Sequence, residues 1–133
     1  PVSPLPVAAS GLMVFTQNPA VARRITDRQS PLEQEWLADV TDAPTTPDER
    51  EAVLRSIGKP LYFDGRELPS LKASWQSDRR LRLAFKHDMP DEPAHRTARA
   101  GLAAVLHRQR IGRIGLDGMA VGQWRCLGSA ERF

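Results

Sequence analysis

Within residues 75–87, WQSDRRLRLAFKH, apolar and cationic side chains alternate with a period of two over positions 80–86, apart from Ala84. Three apolar side chains share one parity: Leu81, Leu83 and Phe85. Three cationic side chains share the other: Arg80, Arg82 and Lys86. Because successive side chains of a strand point to opposite faces, this segment predicts a half-buried strand with a cationic outer face. A sheet is therefore part of the expected fold.

The chain has 133 residues, which is the size of one domain and enough to bury a core without disulfides or structural metals. Cys126 is the only cysteine, so an intrachain disulfide is impossible and a reducing compartment is favoured. We expect a cytoplasmic location, with a periplasmic one open if a leader has been removed. No apolar run approaches the roughly 20 residues that a membrane-spanning helix needs.

The first ten residues, PVSPLPVAAS, are rich in proline and show no periodic pattern. We expect them to form a tail or linker ahead of a single domain over residues 11–133. An apolar run at 11–17 predicts a strand, and Asn18-Pro19 predicts a helix that begins at Pro19 and ends near Gln29.

Two segments carry the same helix-start signal, namely a hydroxyl cap, a proline at the first helical position and a glutamate at the third. They are Ser30-Pro31-Leu32-Glu33 and Thr46-Pro47-Asp48-Glu49. We expect helices over 31–42 and 47–57, the second ended by Gly58 in a left-handed conformation. Together they would form a helical hairpin with acidic outer faces.

Residues 60–64 predict a short strand that is closed by an Asp-Gly turn. Residues 92–110 follow a helical period, with a basic stripe on one face. The stripe consists of Arg96, Arg99, His107 and Arg110. A hairpin with arms at 111–116 and 119–127 is expected at the end. These elements predict an α+β fold, a single small domain with about five short, mostly antiparallel strands and about four helices.

Basic residues are concentrated in one part of the chain. Residues 1–66 contain 7 Lys/Arg and 9 Asp/Glu, whereas residues 67–133 contain 12 and 7, within a total net charge of +3. Arginine supplies 16 of the 19 basic residues, and it binds phosphate and carboxylate groups in a bidentate manner. The alternative explanation for the excess of arginine is GC-rich codon usage. If the charge is functional, it favours an anionic macromolecule as partner.

Spacing argues against a metal site built from the three histidines. His95 and His107 would lie more than roughly 15 Å apart along the predicted helix, too far to share an ion, and His87 precedes that helix. We expect Cys126 to be a small buried side chain rather than a reactive thiol.

The order Asp64, Glu67, Lys72 loosely resembles the acid-acid-lysine order of metal-dependent nucleases. Pro69 interrupts the element that should hold the last two residues on a strand, so the match fails. No phosphate-binding loop has the required glycine spacing. We therefore predict no catalytic residues, no metal and no cofactor.

The basic surface is the remaining signal, and it supplies the predicted binding residues: Arg80, Arg82, Lys86, Arg96, Arg99, Arg110 and Arg113. We predict a non-catalytic binding module or accessory subunit of a bacterial-type assembly, whose basic face (79–113) binds an anionic protein. Three alternatives stay open: a nucleic-acid-binding accessory protein, a small enzyme with a scattered site, and a face that is only solvated. Self-association through the acidic segment 31–57 is a further alternative.

Aromatic residues bear on the kind of partner. They make up 6% of the chain and Phe85 has the buried parity, so base stacking of the RNA-recognition kind is not expected. A protein interface would instead need one or two large anchors. The candidates are Trp36, Trp75 and Trp124.

Overall fold

The computed structural model describes residues 1–63, 65–86, 89 and 91–133. Its elements in chain order are β1 (Ser10–Gly11), α1 (Pro19–Thr26), β2 (Gln34–Thr41), α2 (Pro47–Gly58), β3 (Leu61–Phe63), β4 (Arg66–Leu68), β5 (Lys72–Trp75), β6 (Arg80–Phe85), α3 (Glu92–Arg99), β7 (Ala103–Ile111) and β8 (Ile114–Gly115). The predicted α+β class is confirmed, with three helices and mostly antiparallel strands in these stretches. None of these helices is long and apolar enough to cross a membrane.

The main sheet has the strand order β1-β7-β2-β6-β5, with β8 paired to β7. The central strand β2 is antiparallel to both β6 and β7, and β1 is parallel to β7. Strands β3 and β4 form a separate two-stranded sheet, which confirms the short strand predicted over 60–64. The predicted turn residue Asp64 lies outside the described residues.

The alternating strand predicted near residue 80 is confirmed as β6. Leu81 and Leu83 are 0% exposed, and Phe85 is 4% exposed. His87, at the end of the predicted strand, lies outside the described residues. In the paired strand β2, Trp36 lies opposite Leu83 and Ala38 lies opposite Leu81, so these side chains share what we call the inner face of the sheet.

The hydrophobic core forms where helix α2 packs on the inner face of the sheet. Its buried members are Trp36, Ala38, Val40, Ile57, Leu81, Leu83, Phe85 and Leu106. Ile57 comes from α2, and Val53 and Leu54 of the same helix pack against the cluster. Burial of apolar surface at roughly 25 cal/mol per Å² is what holds the helix on the sheet.

The helix predicted over 31–42 is wrong, because this segment is the central strand β2. Glu33 does not complete a capping box; its carboxylate accepts a bond from Arg110 Nη2 at 2.7 Å. The decisive pattern is the burial of every second residue, with Trp36, Ala38 and Val40 between 0% and 3% exposed. Hydrogen bonds to β6 on one side and β7 on the other stabilise the strand and override the local helix signal.

Helices α1 and α2 confirm the other two helix predictions. Asn18 Oδ1 accepts a bond from the Ala20 amide at 2.9 Å, and Thr46 Oγ1 accepts one from the Glu49 amide at 3.2 Å. Gly58 is the last residue of α2, but the left-handed conformation predicted for it is wrong.

The helix predicted over 92–110 is wrong in its second half. Helix α3 ends at Arg99, and Gly101 adopts φ +76. The Gly101 amide donates to Ala98 O at 2.9 Å and the Leu102 amide donates to Thr97 O at 3.0 Å, which is the Schellman arrangement that stops a helix. The chain then runs back across the sheet as β7, so the predicted helical stripe does not exist.

The hairpin predicted from 111–116 and 119–127 is also wrong. Ile111 pairs with Ile114, so the hairpin loop is Gly112-Arg113, with φ +56 at the glycine. Residues 119–127 form turns and no strand. The Asp-Gly pair at 117–118 therefore lies in an irregular segment.

The first ten residues lie against the sheet. Val2 donates from its amide to Val14 O at 2.8 Å, and Leu5 and Ala9 pack on the core cluster. Gly11 in β1 adopts φ +118, and a Cβ there would lie 2.2 Å from Arg108 O. Only glycine fits this close approach of the two backbones.

Candidate nucleic-acid interface

The outer face of the main sheet carries the side chains that alternate with the core residues. On the three central strands they are Glu35, Leu37, Asp39, Arg80, Arg82, Val105 and His107. Val105 is 63% exposed and the Arg80 side chain is 47% exposed. Solvent therefore reaches this face, and so can a ligand.

Arg80 and Asp39 face each other across β6 and β2. Arg80 Nε donates to Asp39 Oδ1 at 2.8 Å, and this bond raises the pKa of the Arg80 guanidinium. Both side chains are about half exposed, at 47% and 52%. Exposed ion pairs contribute about 0–1 kcal/mol to stability. This pair therefore orients the Arg80 side chain and leaves it available to a ligand.

A second ion-pair network joins three strands at the other end of the face. Glu35 Oε2 accepts a bond from Arg82 Nη2 at 3.1 Å and one from Arg110 Nε at 3.3 Å. Arg110 also donates to Glu33 Oε1 and to the carbonyl of Gly112. Burial alone would raise the pKa of the Glu35 carboxyl, but the bonds and charges of the two arginines outweigh it and lower this pKa.

Between these two groups lies an open cavity of about 350 Å³, which we call the outer-face cavity. Its lining residues are Glu35, Leu37, Gln76, Arg80, Gln109, Arg110, Gly115 and Asp117. Binding sites for small organic molecules range from about 300 to 1,000 Å³. The cavity combines two arginines, two amides and two carboxylates over an apolar floor, so it offers both charge and hydrogen-bonding groups.

Three of the seven predicted binding residues come together on this face: Arg80, Arg82 and Arg110. Lys86 and Arg113 are exposed, at the end of β6 and in the β7–β8 turn. Neither has a hydrogen bond or ion pair to another described residue.

The other two predicted binding residues, Arg96 and Arg99, bond to groups of the domain itself. Arg96 is 0% exposed and pairs with the equally buried Glu92 at 2.8 Å. Arg99 donates to three backbone carbonyls, at distances of 2.6–2.8 Å. Both arginines tie α3 to the end of α2, away from the outer face.

Other predicted candidates are dispersed. Glu67 lies in the small sheet and Lys72 in the main sheet, and Asp64 is outside the described residues. The His95 ring contacts the Phe63 ring at a tilt of 45°, with centroids 4.1 Å apart. No three His, Cys, Asp or Glu side chains of the described chain are placed to hold a metal ion.

Two remaining single residues also differ from expectation. His107 lies on β7 rather than on a helix, and its Nδ1 is 3.0 Å from Ser10 Oγ. Cys126, expected to be buried, is exposed.

Sequence reasoning missed Gln76, Gln109 and Asp117 as cavity residues. Gln109 lies at a bulge, because Glu35 pairs with Arg110 whereas Trp36 pairs with Arg108. This extra residue turns the Gln109 side chain toward the cavity. No local signal in the sequence marks a bulge that is produced by pairing with a distant strand.

No protein-family model matches this chain, and no curated protein matches it. Among solved structures, the crystal structure of a pseudouridylate synthase aligns with a TM-score of 0.67 at 22% sequence identity. The two chains share a fold. The alignment covers 84% of this chain and 47% of the synthase chain, so this chain spans less than half the length of that protein.

This similarity corrects the main interpretation of the sequence. A non-catalytic module for an anionic protein partner is wrong, because the fold is shared with an enzyme that is named for a nucleotide product. The nucleic-acid alternative agrees better with this result.

Proposed function

We propose that this domain binds RNA on the outer face of its main sheet. The observation that carries the proposal is that Arg80 and Arg110 line the outer-face cavity, with Arg82 beside them on the cavity residue Glu35. The shared fold supports it, because the neighbour is named for pseudouridylate, a nucleotide of RNA.

The arginines remain able to bind phosphate although each contacts a carboxylate. A guanidinium has five N–H donors, and Arg82 uses one of them on Glu35. The Arg80 pair is half exposed and therefore weak. A phosphate can bind the remaining donors of Arg80 and Arg82, whereas at Arg110, whose three nitrogens all donate within the domain, it would have to replace a carboxylate.

The cavity itself has the size and chemistry of a nucleobase site. Leu37 supplies an apolar floor, and the amides of Gln76 and Gln109 offer donors and acceptors to a base edge. Arginines at the rim would hold the flanking phosphates. In nucleic-acid recognition generally, contacts to phosphates fix the position of the ligand and contacts to base edges select the sequence.

The test is a fluorescence-anisotropy titration of a labelled 12-nucleotide single-stranded RNA over a series of salt concentrations. Each phosphate contact contributes about −0.7 to the slope of log K against log salt. We expect R80Q and R82Q each to flatten the slope by about that amount. Unlabelled double-stranded DNA as competitor separates RNA binding from general attraction to polyanions.

R55Q is the matched control. Arg55 is exposed and ion-paired to Glu51 at 3.3 Å, but it lies on α2, which packs on the inner face. Its substitution removes the same charge from a different surface. Absence of RNA binding at low salt, or equal damage from R55Q and R82Q, would contradict the proposal.

A second candidate is catalysis on the bound RNA, since the neighbour is a synthase. Asp117 favours it: this carboxylate lines the cavity and makes no hydrogen bond or ion pair to the described residues. Carboxylates with free lone pairs serve as bases and nucleophiles. Chromatography of nucleosides after incubation with uridine-containing RNA tests this candidate: pseudouridine formed by the wild type and lost in D117N supports it, and no pseudouridine refutes it.

A further inference from the structure

The segment after β8 is ordered by turns rather than by a sheet. The Met119 amide donates to Leu116 O at 2.9 Å, and Gln123 closes a second turn in which its amide donates to Ala120 O at 3.1 Å. Gln123 Oε1 in turn accepts from the Ala120 amide at 2.8 Å. These local bonds form two consecutive turns in the residues that precede Trp124.

A salt bridge fixes the far side of the same segment. Arg125 donates from both terminal nitrogens to the two carboxylate oxygens of Glu131, each at 2.7 Å. Glu131 Oε1 also accepts from the Gly128 amide at 2.9 Å. The residue next to Trp124 is therefore tied to Glu131 within the same segment.

Trp124 is 83% exposed, whereas Trp36 is 1% exposed and Trp75 is half-buried. Val121 at 106% and Leu127 at 39% add to the exposed apolar surface of this short segment. Tryptophan is highly buried on average, and it is enriched at interfaces because its ring is apolar and its N–H can donate a hydrogen bond.

The indole borders a second open cavity, of about 480 Å³, which we call the Trp124 cavity. Its lining residues are Gly118, Met119, Gly122, Gln123, Trp124 and Arg125. A Cβ on Gly118 or Gly122 would meet nothing within 4 Å, so the space beside the ring is unobstructed.

The two cavities are neighbours. Asp117 lines the outer-face cavity and Gly118 lines the Trp124 cavity, and consecutive Cα atoms are about 3.8 Å apart. Consecutive residues of one turn therefore line the two cavities.

We propose that Trp124 is a stacking platform for one base of the single-stranded RNA held on the outer face, an inference that rests on the proposed function. Every nucleobase has an aromatic face, so stacking on an exposed indole is tolerant of sequence. Gln123 beside the ring offers its side-chain amide nitrogen as a donor. The site extends RNA binding beyond the arginines by one aromatic contact.

The test compares two labelled probes, a 12-nucleotide oligouridylate and an abasic strand with the same sugar-phosphate backbone. Loss of one stacked base weakens binding by about 5- to 150-fold. We expect W124A to weaken oligouridylate binding by such a factor, to leave abasic-strand binding unchanged and to keep the salt slope of the wild type. W124F should retain most of the affinity, and V121A, an exposed apolar neighbour, should behave as wild type.

The outcomes separate this inference from the proposed function. If the wild type binds neither probe, both fail. If the wild type binds and W124A binds each probe as tightly as the wild type does, the stacking role is overturned and RNA binding on the outer face stands. The stacking role is also overturned if W124A weakens binding of both probes by the same factor. It is overturned as well if W124A loses self-association in sedimentation and keeps its affinity for RNA. Unchanged circular dichroism of W124A excludes unfolding as the cause.

Discussion

Arg96 and Arg80 form ion pairs with the same Nε to carboxylate distance, 2.8 Å, in opposite surroundings. The Arg96–Glu92 pair is 0% exposed on both sides, whereas the Arg80–Asp39 pair is about half exposed. Replacement of each arginine by methionine therefore compares the loss of a buried, fully bonded arginine with the loss of an exposed one. We expect R96M to destabilise the domain strongly and R80M hardly at all.

The magnitude follows from the bonds that Arg96 makes. Besides Glu92 it donates to the carbonyls of Ile57, Lys59 and Pro69, at 2.5–2.8 Å. Burial lowers the pKa of the Arg96 guanidinium, and the charge of Glu92 opposes this effect. Removal of one partner from a buried pair costs about 3–5 kcal/mol, a large part of the roughly 5–15 kcal/mol that stabilises a domain.

Urea unfolding followed by circular dichroism measures both variants. R96M should lose about 3–5 kcal/mol and R80M about 0–1 kcal/mol, each with an unchanged m-value. R96K keeps the charge but not the planar array of donors, so its loss should lie between the two. A loss below about 1 kcal/mol for R96M, or equal losses for R96M and R80M, would refute the structural role of Arg96.

Three further outcomes are expected. G11A should lose more than about 1 kcal/mol in urea unfolding, because the new Cβ would lie 2.2 Å from Arg108 O at φ +118. T46A should lose about 1 kcal/mol in the same assay through loss of the α2 cap, and T46S should lose little. The bonds from Arg125 lower the pKa of Glu131 from 4.5 to about 2, so the stabilisation from this pair is complete above pH 4.5 and is lost as the pH falls toward 2. A carboxyl titration by NMR should find that midpoint, and R125Q should return it toward 4.5.

Elements with local signals were predictable. Strand β6 was found because its alternation is contiguous and its charges mark the exposed parity, and α1 and α2 because Asn18 and Thr46 cap them within three residues. Strand β2 was missed because its start imitates a capping box. Its alternating apolar residues favour a strand over a helix only because β6 and β7 pair with it on both sides. Those partners lie far along the chain, so the local sequence does not reveal them.

The candidate site was predictable only in part. Arg80 and Arg82 were correctly placed on the exposed face of β6. Arg110 joins them through β7, not through the predicted helix, because Gly101 stops α3. Burial of Arg96 and Arg108 had no signal in the sequence, since arginine is almost never fully buried and its partners here are mostly carbonyls of other elements.

The position of β2 has a consequence for the order of folding. Asp39 pairs with Arg80 and Thr41 pairs with Ala103, so the central strand leaves the ribosome long before either neighbour. Until β7 has been synthesised, one edge of β2 has no partner in the native sheet, and an unpaired strand edge readily joins another chain. Pairing of β2 with β6 and β7 closes long loops, a step that slows folding. The main sheet is complete only when β7 has paired with β2.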